Sequence, residues 1–416
     1  MDASLSDAVP WWHTVRADRR VLIMAPTMTS VHRLLDIAAL FRGDLRVQLW
    51  FTVPPNMLGE GAEAMLRAIG VPLLPWELAV TRCYDLAITA NLGGIGEIDA
   101  PVALFAHGAS RNKIAKPRGR GSIAVLSKVP AFARSALVLN GMLVPSVIAL
   151  GHDRDLAMLA EDCPEALPVG RVVGDPCFDR ISAGRRLRAA YRRALGLEPG
   201  EKLVVVTSTW AGASLLGSAP HQVERLVEQL PGPNYRIVLL IHPNVVAAHG
   251  AYQLHAWWGH LAHHGLVLTS PGQPWEPFLI AADYIVGDHG SVTLYGSVVG
   301  VPILLAAFDE AQVHPESGAA ALAAIAPRLV GSVPVPEQLA QAGEQFDAES
   351  MARVAATISS EPGGFARHTR SLLYGVLRLG QPAFAPRVAD VPAPPPLREL
   401  AARWLSGGRE EGVGPV

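Results

Sequence analysis

The chain has 416 residues, half of them hydrophobic and 17% charged. This balance suits a well-buried α/β protein, and the length, too great for one compact core, suits two domains. The formal net charge of -2 supplies no global attraction to nucleic acid or anionic membrane, so nucleic acid is not an expected partner, whereas local basic patches leave peripheral membrane contact open. Residues 1–20 contain no apolar signal-peptide core. The longest apolar run, 136–151, is broken by Asn140, Gly141 and Pro145 and is too short to span a bilayer. Cys83, Cys163 and Cys177 are odd in number and lack metal spacing. The expectation is a reduced cytoplasmic protein without a transmembrane segment or a disulfide framework.

In chain order, 19–24 reads as a first strand, 31–41 as a helix, 46–53 as a strand and 61–69 as a helix. Short buried strands follow at 85–89 and 102–105. This alternation predicts a first Rossmann-like sheet. No GxGxxG opens it, which argues against a dinucleotide site. Strand 102–105 runs into His107, Gly108 and Lys113. His107 reads either as a general base or phosphate contact at a strand end, or as a loop histidine bonded to backbone. The basic, Pro/Gly-rich stretch 113–120 reads either as a solvated loop or as a lid reaching for an anion, with Lys113 at its start. Further strands are predicted at 136–139 and 147–150, and a helix at 153–161. Asp153 and Asp155 form a D-x-D pattern that also suits the polar start of a helix. A Gly/Pro turn follows at 174–176, then a basic helix at 185–195. The domain boundary is placed near Ile181, giving an N-terminal domain 1–181, a C-terminal domain 182–380 with terminal helices, and a Pro-rich strap and tail 381–416.

The second domain opens with strand 202–207 and a hydroxyl-bearing turn from Ser208 to Gly212. Helix 223–230 and strand 236–241 follow, the latter ending in His242 and Pro243. Helix 251–264 carries His255, His260, His263 and His264. The 260/264 spacing suits zinc, but there is no HExxH, and a solvated polar face accounts for it. Strand 266–268 comes next. The segment 275–309 then reads as helix, strand 284–286, a Gly-rich turn at Asp288, His289, Gly290 and Ser291, helix 292–299 stopped by Gly300, and strand 301–308. This is a βαβ unit of a parallel sheet, with its turn at the carboxyl edge where ligands bind. Gly290 admits close backbone approach, and Ser291 and Thr293 set hydroxyls beside free helix N–H groups, which attract phosphate. The same residues also describe a capped helix start with Ser291 as N-cap. The strand-end turns at 208–210, 242–244 and 288–293 converge on one edge of a parallel sheet.

No P-loop and no G-x-S-x-G elbow occur. The ordered motifs resemble the GT-B class of nucleotide-diphosphate transferases. Within it they resemble the CDP-glycerol glycerophosphotransferase family of teichoic acid polymerases and the related UDP-N-acetylglucosamine 2-epimerase-like group. The matches are AHGASRNK at 106–113, VVGDPCFD at 172–179, TSTW at 207–210, IHP at 241–243 and AADYIVGDHGS at 281–291. Ala211 stands where that family has arginine, and His289 and Gly290 where it has Tyr and Ser.

The resemblance implies two Rossmann-like domains facing across a cleft, with C-terminal helices, and a role in cell-envelope biosynthesis. It implies a metal-independent transferase without cofactor, moving a glycosyl or polyol-phosphate group from a nucleotide-diphosphate donor to an acceptor hydroxyl. Thr209, Asp288, His289, Gly290, Ser291 and Thr293 would bind the donor. His242 would hold its diphosphate, His107 would act as base, and Lys113 would serve the acceptor or lid. A non-catalytic donor-binding protein and an epimerase or hydrolase of a nucleotide sugar are the alternatives.

Overall fold

The computed structural model describes residues 14–56, 59–106, 108–109, 132, 134–230, 232–270 and 272–405. The chain divides into two compact units. The first comprises Met1–Ser110, Leu126–Pro176 and Ser359–Ala389, and the second Arg111–Val125, Cys177–Ile358 and Asp390–Val416. His107, Lys113, the stretch 113–120 and the tail beyond Leu405 lie outside the described residues.

The first unit holds a seven-stranded sheet. Its strands are β1 (Arg19–Met24), β2 (Val47–Thr52), β3 (Leu73–Leu74), β4 (Leu86–Thr89) and β5 (Val102–Leu104). After a hairpin of β6 (Val138–Leu139) and β7 (Met142–Leu143) come β8 (Pro145–Leu150) and β9 (Gly170–Val172). The order is β3-β2-β1-β4-β5-β8-β9, with every pair parallel. The apolar runs dictate this. Val21, Leu22, Ile23 and Met24 are all fully buried, as strands covered on both faces by helices must be. Helix Met28–Ala38 starts where the Thr27 side chain accepts the Ser30 N–H, satisfying one of the open donors of its first turn.

The second unit holds a five-stranded parallel sheet. Its strands are β10 (Lys202–Thr207), β11 (Tyr235–Leu240), β12 (Leu266–Leu268), β13 (Tyr284–Gly287) and β14 (Ile303–Leu305). The order is β12-β11-β10-β13-β14. The chain winds outward from β10 through β11 to β12, then returns to the other side of β10 as β13. The strand order therefore reverses between β10 and β13. The α/β class, the two parallel sheets and the C-terminal helices expected from the sequence are all present. Among the described residues no helix is long and apolar enough to cross a membrane.

Several local expectations change. The strand predicted at 136–139 is present only as β6, its first two residues belonging to a helical turn, Arg134–Leu137, that leads into the β6–β7 hairpin. Asn140 and Gly141 take φ of 51° and 78°, the left-handed pair of a two-residue hairpin turn. The strand predicted at 301–308 shortens to Ile303–Leu305. The helix predicted at 251–264 begins earlier, at Pro243, and is interrupted by Gly250 at φ 76°, ψ 151°. The D-x-D pattern lies in a capping box, with His152 as N-cap and Asp155 three residues on.

The helix Phe365–Leu377 belongs to the first unit, where Phe365, Leu373, Tyr374 and Leu377 enter the core. Tyr374 stacks on Phe41 with centroids 5.7 Å apart and donates its hydroxyl to Asp44 Oδ2 at 2.8 Å. The Arg46 guanidinium, 2.7 Å from the same carboxylate, and then the Tyr374 hydroxyl hold Asp44 well below the usual carboxylate range. A depressed folded-state value contributes stability above the unfolded value, about 4, and that contribution is lost as pH falls below it. Asp44→Asn is thus expected to be less stable than wild type at neutral pH. The gap should close in acid, as measured by urea unfolding between about pH 7 and about pH 2. A gap independent of pH would contradict the assignment.

Candidate functional site

The carboxyl edge of the five-stranded sheet carries the candidate site. At the point where the strand order reverses, the turns after β10 and β13 are fastened together by one buried carboxylate. Asp288 is 1% exposed. Its Oδ2 accepts the backbone N–H groups of Thr209 and Leu215, both at 2.8 Å, and the Ser208 hydroxyl at 3.4 Å. Its Oδ1 accepts the Gly290 N–H at 2.8 Å. Beneath it, Thr207 Oγ1 and Thr293 Oγ1 share a hydrogen bond of 2.7 Å.

Gly287, which ends β13, and Gly290 of the turn both serve this closeness. A Cβ on Gly287 would lie 2.3 Å from Thr207 Oγ1 and 2.4 Å from Thr293 Oγ1. A Cβ on Gly290 would lie 2.9 Å from Asp288 Oδ1 and 3.0 Å from Thr209 Cβ. The close approach that Gly290 permits is therefore between the two turns of the protein itself.

Helix Ser291–Val299 starts from this turn. Its N-cap is Gly290, in extended conformation and without a side-chain cap, so Ser291 is the first helical residue and not the cap. The Asp288 carboxylate satisfies the Gly290 N–H instead. The first intrahelical bond runs from the Leu294 N–H to the Gly290 carbonyl. The N–H groups of Ser291, Val292 and Thr293 precede it, and such groups at a helix start favour an anion. Gly300 ends the helix in the left-handed conformation, φ 79°.

On the other side of β10, β11 leads into helix Pro243–Ala262. His242 caps it, Nδ1 accepting the Asn244 N–H at 3.1 Å. An accepting Nδ1 carries no proton, which fixes the ring proton on Nε2. The half-buried Trp210 ring lies 6.4 Å from the His242 ring, tilted by 36°.

The expected donor-site residues thus fall into two groups. Thr209, Asp288, His289 and Thr293 are between 1% and 6% exposed, and the side chains of Asp288 and Thr293 hold the scaffold together. The His289 ring meets Phe308 edge-on, with centroids 6.1 Å apart. His242 and Ser291 are partly exposed and present polar groups at the edge. The segments 207–217, 241–246 and 287–293 contain no Lys or Arg, so N–H groups, hydroxyls and the His242 ring make up their anion-binding capacity.

Sequence reading overlooked Thr207 and Ser214. Ser214 accepts the Gly217 N–H and donates to the Ala211 carbonyl. A serine, a preferred N-cap residue, directly ahead of the apolar pair Leu215 and Leu216 was the available signal. Asp283, one of the motif positions, sits at the opposite edge. It binds Arg188, Arg192 and the Leu203 N–H, fastening the helix Arg188–Leu195 beside the start of β10.

Ala211 adopts φ 73°, a conformation that costs a residue with a Cβ about 1 kcal/mol. Ala211→Gly is expected to stabilise the protein by about 0.5–1 kcal/mol, read as a rise in the urea midpoint. A fall would show that the alanine methyl makes a contact worth more than the strain.

No protein-family model and no curated protein matches the chain. In structure it is similar to the wall teichoic acid polymerase TagF in a variant form, with a TM-score of 0.60 at 11% identity, covering 88% of this chain and 90% of that one. A variant of the same polymerase soaked with CDPG gives a TM-score of 0.57 at 11% identity, over 88% and 89% of the two chains. MnaA of S. aureus in a co-structure with UDP gives 0.50 at 12% identity, over 89% and 100%. At such identities the likeness establishes the fold, a GT-B-like pair of parallel α/β units with C-terminal helices.

Proposed function

We propose that the second unit binds the diphosphate of a nucleotide donor at the carboxyl edge of its sheet. The protein then transfers a glycosyl or polyol-phosphate group from that donor, CDP-glycerol-like or a UDP-sugar, to an acceptor hydroxyl. The supporting observation is the place of the Asp288-fastened turns. They lie where the strand order reverses between β10 and β13, the position at which open α/β sheets take ligands. The N–H groups of Ser291, Val292 and Thr293, with Nε2–H of His242, would take up the diphosphate charge as it develops on departure. Neighbours of the same fold described with CDPG and with UDP support the choice of ligand class.

The acceptor's proton goes to His107 in this reading, from its position after β5 in the sequence, and Lys113 attends the acceptor. Calorimetry with CDP, UDP and their activated donors tests the donor site, and product analysis with and without a hydroxyl acceptor tests transfer. Failure to bind any of these nucleotides removes the proposal. Turnover without acceptor replaces transfer by epimerisation or hydrolysis.

A second reading, donor binding without turnover, is favoured by Ala211. In the resembled family an arginine stands there, whereas Ala211 brings no cation to the turn. Binding without any product in either assay selects it.

A further inference from the structure

We infer that Arg328 supplies the cation for the donor's diphosphate, a role that rests on the donor site proposed above. The turns of that site carry no Lys or Arg in 207–217, 241–246 and 287–293. N–H groups, hydroxyls and one imidazole hold a multiply charged anion less well than the same set joined by a guanidinium, which binds phosphate oxygens in pairs. A cation is therefore what these turns lack, and the segment after β14 carries one beside them.

Register fixes the backbone of Arg328. Gly287, the last residue of β13, pairs with Leu305, the last residue of β14. Leu305 pairs in turn with Arg328, in parallel, on the free side of β14. The Leu305 N–H donates to the Pro327 carbonyl and the Leu329 N–H to the Leu305 carbonyl, both at 2.9 Å. Arg328 thus stands level with the residue that precedes Asp288, two strand spacings or about 10 Å away.

The side chain is placed by Phe308. The guanidinium carbon lies 4.5 Å from the centroid of that ring, within cation–π range. The same ring meets the buried His289 ring edge-on at 6.1 Å. One aromatic ring therefore separates the guanidinium from the turn that starts helix Ser291–Val299. Phe308 is a platform that holds the cation beside the turn without neutralising it.

The carboxylate that pairs with Arg328 is Glu310, 3.3 Å away, with the two side chains 40% and 83% exposed. Water and salt screen such a pair, so an incoming diphosphate displaces Glu310. Arg188, Arg192 and Arg236, by contrast, pair with Asp283 and Glu201 at the starts of the strands, away from the carboxyl edge.

Isothermal titration of the full chain with CDP and with UDP separates this role from that of a surface ion pair. Arg328→Gln should bind about 10–100-fold more weakly than wild type, through loss of a charge-assisted contact. Arg328→Lys keeps the charge but not the paired geometry, and should fall between the two. Glu310→Gln should bind at least about twofold more tightly, because the guanidinium no longer has a competing carboxylate. A merely structural pair would give both Gln variants the same small loss of stability and no change of affinity. Thermal unfolding of each variant should stay within about 4 °C of wild type. If Arg328→Gln falls below that range, tighter binding by Glu310→Gln supports the inference and unchanged binding overturns it. Wild-type binding that is unchanged in Arg328→Gln overturns the inference and leaves the donor site standing, as does binding weakened alike in Arg328→Gln and Glu310→Gln. Absence of binding by wild type overturns the donor site and this inference with it.

Discussion

Replacing His242 by Asn is expected to weaken binding of a nucleoside diphosphate by about 10–100-fold while leaving the fold nearly as stable as wild type. The imidazole does two jobs on two atoms. Its Nδ1 accepts the Asn244 N–H and caps the helix, and in the proposed function its Nε2–H binds the donor's diphosphate. Asparagine is as good an N-cap as any residue, so the variant retains the first job and loses the second. His242→Ala loses both and should cost about a further 1 kcal/mol of stability. The contrasting variant is His107→Ala. If His107 is the base, donor affinity persists and the maximal rate of transfer falls by about 10²–10⁴-fold. Calorimetry and steady-state kinetics on the three variants, with thermal unfolding as the control, separate these roles. The assignment fails if all are stable and active, or if donor binding depends on His107 and not on His242.

Asp288→Asn is expected to lower the stability of the second unit by about 2–5 kcal/mol. It should also abolish donor binding. The carboxylate accepts from three backbone N–H groups, those of Thr209, Leu215 and Gly290. An amide of the same shape can accept on one side only, and on the other its NH2 confronts a buried N–H donor. Each stranded donor costs about 1–3 kcal/mol. The two turns then lose their common anchor, and the helix start at Ser291 moves away from the turn after β10. A lowering of the melting temperature by roughly 10 °C should result. An unchanged melting temperature would show that the turns hold together without the charge.

The parallel sheets were legible because strands buried on both faces must be almost wholly apolar. Leu203–Val206 and Ile285–Val286 announce themselves in this way. Strand ends were legible too, since polar turns interrupt those runs at Ser208, His242 and Asp288. The inner workings of the turns were not legible. Asp288 reads locally as a residue facing a ligand, whereas its partners Thr209 and Leu215 lie 79 and 73 positions away in sequence. Whether a carboxylate faces inward depends on packing that no local pattern contains. The cap of the Ser291 helix shows the same limit. Serine has the higher cap preference, yet the distant demand for Gly290 against Thr209 sets where the helix begins. At Asn140 and Gly141 the hairpin signal was present and was masked by the apolar residues on either side.

In the proposed function the edge of the second sheet, at the reversal of strand order, binds the diphosphate of a nucleotide. Isothermal titration of the full chain with CDP and with UDP, run in parallel on His242→Asn, tests it most directly. Saturable binding of at least one of the two by wild type is expected, with affinity lower by about 10–100-fold in the variant. Equal affinity in wild type and variant, or no heat with either nucleotide, would contradict it.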